Sequence, residues 1–289
     1  MIKIGSKVKF GKYYQENSST KTPIEWKVLD VIGDKVLLFS EKVLDAKAYN
    51  EDRIDITWET CSLRKWLNNE FYNLAFDSDE KKSIYTSNIQ TNDNAFPLRM
   101  KVPAWLAQYS HRPIVTGGGT TTDKVFLLSW EEGKKYFRKS PDNQSKVSVL
   151  TPMFKIYQEY DINNVAIAFT DVTAEPTSYA RQHNAYIQDE KCGAWYWFRS
   201  PGNTSQMAVS NMNDILYRVG TKVDDNTMGV RPAIWVSKDL FLTDKEKEEI
   251  ALKKKQQDWK NNGLCQYCGG KFKGLFTKTC SNCGKKKDY

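Results

Sequence analysis

Ala194-Trp195-Tyr196-Trp197-Phe198-Arg199-Ser200-Pro201-Gly202 carries aromatic residues at both parities. Successive side chains of a strand point to opposite faces. Trp195, Trp197 and Arg199 therefore share one face, and Tyr196 and Phe198 the other. A strand that is aromatic on both faces is predicted to be central in a sheet covered on both sides. Arg199 is placed to pair with a carboxylate or to stack on an indole. Downstream, Gln206–Ser210, Ile215–Val219 and Val230–Val236 also read as strands. Turn signals at Pro201-Gly202-Asn203, Asn211 to Asp214 and Asp224-Asp225-Asn226 separate them, which predicts an antiparallel sheet.

Upstream the pattern is mixed. Val8 and Phe10 alternate with lysines, as Ile24, Trp26 and Val28 alternate with Glu25 and Lys27. Gly33-Asp34 then leads into Lys35–Phe39, a hairpin signature. Leu63, Trp66, Leu67, Phe71 and Leu74 fall on one face of a helix beginning near Ser62. A second helix is predicted over Asp79–Ile84 with Ser78 as its N-cap. Residues 87–123 have little pattern; they hold Pro97, Pro103, Pro113 and Gly117-Gly118-Gly119, read as a flexible loop. Lys124–Ser129 reads as a strand, Trp130–Phe137 as a helix, 139–150 as a polar loop, Val165–Phe169 as a strand, and a short helix follows Pro176. Early helices and late strands without βαβ repeats give an α+β fold class.

Three segments follow: a body over 1–242, a charged linker helix over 243–262 opened by a Thr243/Glu246 capping box, and a small module over 263–289. The 289 residues are 40% hydrophobic and 27% charged, a globular composition. The net charge of +8 is uneven: from Thr243 on, 12 lysines face 6 acids. The near-neutral body excludes a uniformly basic nucleic-acid binder. No apolar run is long enough to span a membrane, and Met1–Phe10 shows no apolar secretory core. A cytoplasmic location with no membrane partner is expected.

Four of the six cysteines form two knuckles, Cys265-Gln-Tyr-Cys268-Gly and Cys280-Ser-Asn-Cys283-Gly. Two C-x-x-C-G turns can grip a tetrahedral ion, and each following glycine permits the turn that aims backbone N–H groups at sulfur. Four thiolates leave no open coordination position, so structural Zn²⁺ is the expected cofactor. The arrangement resembles the short zinc ribbons at the ends of many bacterial proteins. Its lysines, 271, 273, 278 and 285–287, read either as a solvated face or as a nucleic-acid contact. Cys61 and Cys192 read as plain buried thiols.

Gly11-Lys12-Tyr13, Pro23 to Leu29, Ser62-Leu63-Arg64-Lys65-Trp66-Leu67-Asn68, Asp123 to Ser129, Pro176-Thr177-Ser178-Tyr179-Ala180, Trp197-Phe198-Arg199-Ser200-Pro201-Gly202 and Gly229-Val230-Arg231-Pro232-Ala233 together resemble a bacterial and phage domain family of uncharacterised function. That family is similar to C-type-lectin-fold proteins, including the variable display proteins of diversity-generating retroelements, and more distantly to formylglycine-generating enzymes. The resemblance implies a C-type-lectin-like body that recognises a ligand on late loops and strands. The residues it nominates are Trp195, Trp197, Arg199, Asn203, Ser205, Gln206, Asn211, Asn213, Tyr217, Asp224 to Asn226 and Arg231. For Arg199 and Arg231 a framework role competes with ligand contact.

A non-catalytic ligand-recognition protein, with a protein or peptide as ligand, is the function expected. Alternatives are a retroelement-diversified display protein, a formylglycine-generating-type oxidase using Cys61 and Cys192, and nucleic-acid contact through the ribbon. Glu175-Pro176-Thr177 and Asn213-Asp214 only echo sugar-binding calcium motifs, lacking the amide ligand and the preceding Trp. No G-x-S-x-G, H-E-x-x-H or phosphate loop is present, and His111 and His183 show no nucleophile partner in sequence.

Overall fold

Gly33, at φ +61, turns the chain through two residues between Ile32 and Lys35, which pair across the hairpin. A computed structural model describes residues 2–94, 114–142, 166–188, 193–274 and 278–288. Two compact units appear, Lys3–Ser237 and Lys238 onward. The first contains most of the expected body; the second joins the expected linker helix and ribbon into one unit.

The body strands are β1 (Lys7–Tyr14), β2 (Lys21–Ile32), β3 (Lys35–Ser40), β4 (Asp45–Ala46), β5 (Ser87–Ile89), β6 (Thr121–Asp123), β7 (Ala166–Ala168), β8 (Tyr196–Pro201), β9 (Met207–Met212), β10 (Ile215–Lys222), β11 (Gly229–Val230) and β12 (Ala233–Ser237). One sheet runs β1-β2-β3-β12, a second β4-β11-β8-β9-β10-β7, and β5 pairs with β6. The first strands and the last thus share a sheet. β8 is central in its own sheet, and its aromatic faces are covered: Tyr196, Trp197 and Phe198 are buried.

The expected antiparallel sheet is mixed, because β11 pairs parallel with β8. Val230–Val236, read as one strand, is divided at Arg231-Pro232: β11 belongs to one sheet and β12 to the other. Pro232 has no N–H to donate, so the ladder can break there. Lys124–Ser129 is not a strand. Val125 to Leu128 are buried, and only Phe126 makes a bridge, to Ala233.

The helix at Ser62 also departs from the simple period. An α-turn, Ser62–Trp66, runs into a π-turn, Leu67–Phe71, and then into Tyr72–Ala75. The wider turn shifts the buried face by one residue. Tyr72 and Ala75 are buried while Leu74 is exposed. The next helix, Ser78–Lys82, takes Asp77 as its N-cap in a capping box with Glu80. Trp130–Tyr136 is capped by a Ser129/Glu132 box, and Ser178–Gln182 by Thr177. Gly117-Gly118-Gly119 is packed, not open. A Cβ on Gly117 would lie 2.1 Å from Thr91 O, and Gly119 N donates to Glu59 Oε2 at 2.8 Å. Pro97, Pro103, His111, Pro113, most of the 139–150 loop and Cys192 lie outside the described residues.

In the second unit, helix Asp244–Asn261 begins at the Thr243/Glu246 capping box. It leads to β13 (Phe272–Lys273) paired with β14 (Thr279–Cys280). Ile250 and Leu252 on the helix are exposed, while Trp259 packs on the ribbon, where a Cβ on Gly269 would come 2.5 Å from its ring. Among the described residues no helix is long and apolar enough to cross a membrane.

Candidate functional site

The two cysteine turns converge. Sγ atoms of Cys265, Cys268, Cys280 and Cys283 all lie within 4.8 Å of one another. Cys265 and Cys283 are 3.5 Å apart, Cys268 and Cys280 3.4 Å. Tetrahedral zinc–sulfur bonds of about 2.3 Å place sulfurs roughly 3.8 Å apart, inside that range. Gly269 and Gly284 take φ +71 and +70, as the knuckle geometry requires. Backbone N–H groups of Cys283 and Asn282 lower the Cys280 thiol from its ordinary value, while Cys268 beside it is raised. None of the four forms a disulfide. Among the described residues this tetrad is the one group of three or more His, Cys, Asp or Glu side chains close enough to share an ion.

The body carries a different feature, a polar cleft of about 930 Å³. Lys47, Lys65, Trp66, His183, Asp224 and Asn226 contribute to its wall, with Glu51 and Glu70. Lys47 Nζ sits 4.7 Å from the Trp66 ring centre, a cation–π contact. Beneath the wall lies Asp45, which is 1% exposed. Tyr13 Oη donates to its Oδ2 at 2.8 Å, Ala46 N donates to its Oδ1 at 2.8 Å, and His183 Nδ1 lies 2.6 Å from Oδ1. Burial, with the Asp45 charge beside it, pushes the Tyr13 hydroxyl well above its ordinary value, so Tyr13 stays a donor. The carboxylate occupies Nδ1 of His183, which leaves Nε2 as the ring's other polar atom.

The nominated late-loop residues divide. Asp224 and Asn226 reach the cleft. Ser205 and Gln206 both donate to Asp55 Oδ1, at 2.6 and 3.3 Å. Their loop is laced to the cleft segment: Val223 N donates to Gln206 O, and Asn50 N to Val223 O. Trp195 Nε1 donates to Asn213 Oδ1 at 3.1 Å, and its ring lies 4.7 Å from Tyr186. Tyr217 packs against Ala166, Ala168 and Ile215.

The others are interior. Trp197 is buried and donates to Lys47 O. Asn203 and Asn211 are buried. Arg199 donates to Leu127 O, Gln90 O and Thr91 Oγ1, and pairs with Glu132. Arg231 donates to Ser40 O at 2.7 Å and to Val172 O and Tyr196 Oη at 3.1 Å, with its guanidinium over Phe39. Ser40 ends β3 and Tyr196 starts β8, so Arg231 bolts one sheet to the other. Both arginines spend their donors on framework atoms.

Residues 33–238 match the domain of unknown function DUF6273. The chain belongs to this family. β1 and β2 precede the matched residues, yet they complete a sheet of the DUF6273 domain. Neither a curated protein nor a solved structure matches the chain.

The pairing of His183 with Asp45 escaped the sequence reading, since the two are 138 residues apart. A local signal existed for Asp45, an acid inside the apolar run Val43-Leu44-Asp45-Ala46. Cys61, the expected buried thiol, caps the Ser62 helix by accepting from Arg64 N, and burial pushes it up to about 12. It is no reactive thiolate.

Proposed function

We propose that the DUF6273 domain of this chain is a non-catalytic recognition module that takes a protein or peptide segment in the cleft beside Asp45 and His183. The observation that carries this reading is the cleft: about 930 Å³, polar, and lined by amides and charges of both signs. Such a lining suits backbone amides and mixed side chains. Supporting it, Asp224 and Asn226 come from the late loop nominated for ligand contact. A C-type-lectin-like architecture is proposed on the shared sheet of the first and last body strands. For the tetrad we propose structural Zn²⁺, held by Cys265, Cys268, Cys280 and Cys283. When bound it supplies folding free energy to a module too small to bury a core. A cytoplasmic location is proposed with it, as a compartment that keeps such thiols available to the ion.

The test is selection of a displayed random peptide library on the full chain, followed by calorimetry of synthetic winners. Winners should lose at least tenfold in affinity to Trp66→Ala and to Asp224→Lys. Winners indifferent to both substitutions, or no enrichment at all, would overturn the cleft as the recognition site.

A further inference from the structure

We propose that the outer face of the ribbon binds the phosphate backbone of a single-stranded nucleic acid. The face is defined by strand register. Lys273 pairs with Thr279, and Thr279 pairs on its other side with Lys286. Residues directly opposite in antiparallel strands share a face. Lys273, Thr279 and Lys286 therefore form one row, with the lysine backbones roughly 10 Å apart across two strand spacings. Phe272 and Cys280 pair in the next row and point the other way, toward the metal tetrad. Ser281 N donates to Lys271 O, which sets Lys271 and Ser281 opposite each other, two residues along. Three exposed lysines and the Thr279 hydroxyl thus share this side, while Ser281 Oγ donates to Lys271 O at 3.0 Å.

No carboxylate belongs to those rows. The ribbon's acid, Asp288, is taken by Gln266 Nε2 at 3.1 Å and by Tyr267 Oη at 3.4 Å. From Gly263 on, six lysines stand against that one aspartate. The two formal negative charges of a zinc tetrathiolate still leave the ribbon positive. Lysine ammoniums with a threonine hydroxyl fit phosphate oxygens. Tyr267, 44% exposed in the first knuckle, has Lys285 Nζ 3.6 Å from its ring centre, so a base can stack only on the ring's other face. An exposed ring close to lysines and a hydroxyl favours a nucleic acid, whose bases can stack on it, over a lipid surface.

The experiment is fluorescence anisotropy of the zinc-loaded full chain with a labelled oligo(dT) of about 20 nucleotides. Three phosphate contacts on a single strand predict a log–log salt slope near −2. Raising salt from about 50 to 200 mM should then weaken binding roughly twentyfold. Lys273→Glu with Lys286→Glu should cost at least tenfold, and the Gln pair should flatten the slope by about 1.4. Zinc content and far-UV ellipticity should stay unchanged in both pairs. Tyr267→Ala should weaken binding with the slope intact. No binding at about 50 mM salt, equal binding by the folded double variants, or binding to phosphatidylserine vesicles in place of the oligonucleotide would each overturn the proposal.

Discussion

His183 Nδ1 lies 2.6 Å from Asp45 Oδ1, joining the end of a short helix to the edge strand of the six-stranded sheet beside the cleft. The carboxylate is also the acceptor for buried Tyr13. Asp45→Ala removes that hydroxyl's carboxylate acceptor and leaves it only the Tyr179 hydroxyl, so it should cost about 2–4 kcal/mol in urea unfolding. His183→Gln removes a half-exposed group and should cost about 1 kcal/mol. Equal losses for the two would show that Tyr13 draws nothing from Asp45.

Chelation should remove one metal per chain and expose the second unit to protease at Lys271, Lys273 and Lys278. A strong zinc chelator followed by timed trypsin digestion reads this directly. Cys268→Ser should reproduce the pattern with metal present, since a structural site needs all four ligands. Unchanged digestion would mean that the tetrad folds without an ion.

Gly202→Ala should be among the most damaging single-methyl changes. Its Cβ would stand 2.4 Å from Val219 O and 2.7 Å from Met207 Cβ. A cost of about 2 kcal/mol or more is expected from overpacking against backbone. Gly33→Ala meets nothing within 4 Å and carries only the strain of φ +61, so about 1 kcal/mol. Thermal unfolding of the two variants should keep that order.

Arg231→Lys should behave as a severe change despite keeping the charge. One ammonium cannot reach Ser40 O, Val172 O and Tyr196 Oη together while lying flat on Phe39. A loss of about 3 kcal/mol in chemical unfolding is expected. A loss below about 1 kcal/mol would mean the sheets do not need this bolt.

Cys61 sets an alkaline limit. Burial pushes its thiol from an ordinary value near 9 up to about 12. Above pH 9 the unfolded chain releases that proton while the folded chain keeps it. The unfolded state then binds fewer protons, so stability falls as pH rises from about 9 toward 12. Cys61→Ala should flatten the fall between about pH 9 and 10, before the buried tyrosines contribute. An unchanged slope in urea titrations would assign the alkaline loss elsewhere.

Much of the framework was legible along the chain. The Gly33-Asp34 hairpin, the Thr243 capping box, the two-sided aromatic strand and the two cysteine knuckles are local patterns, and each formed where its residues stood. Where the reading slipped, a break in a local period or a partner far in sequence had decided the outcome. Leu74 faces solvent because a π-turn shifted the register of its helix, and Val125 to Leu128 are buried without joining a ladder.

By itself, the sequence determined the α+β composition and the convergence of the four tail cysteines, because hydrophobic period, capping and C-x-x-C spacing act over a few residues. Tertiary structure alone decided that the chain changes sheets at Arg231-Pro232, that Arg199 and Arg231 face inward, and that Asp45 meets His183. These depend on which segments fold against one another. A side chain's partner, and so its burial and charge state, is set by chain closure over tens to hundreds of residues, which local periodicity does not encode.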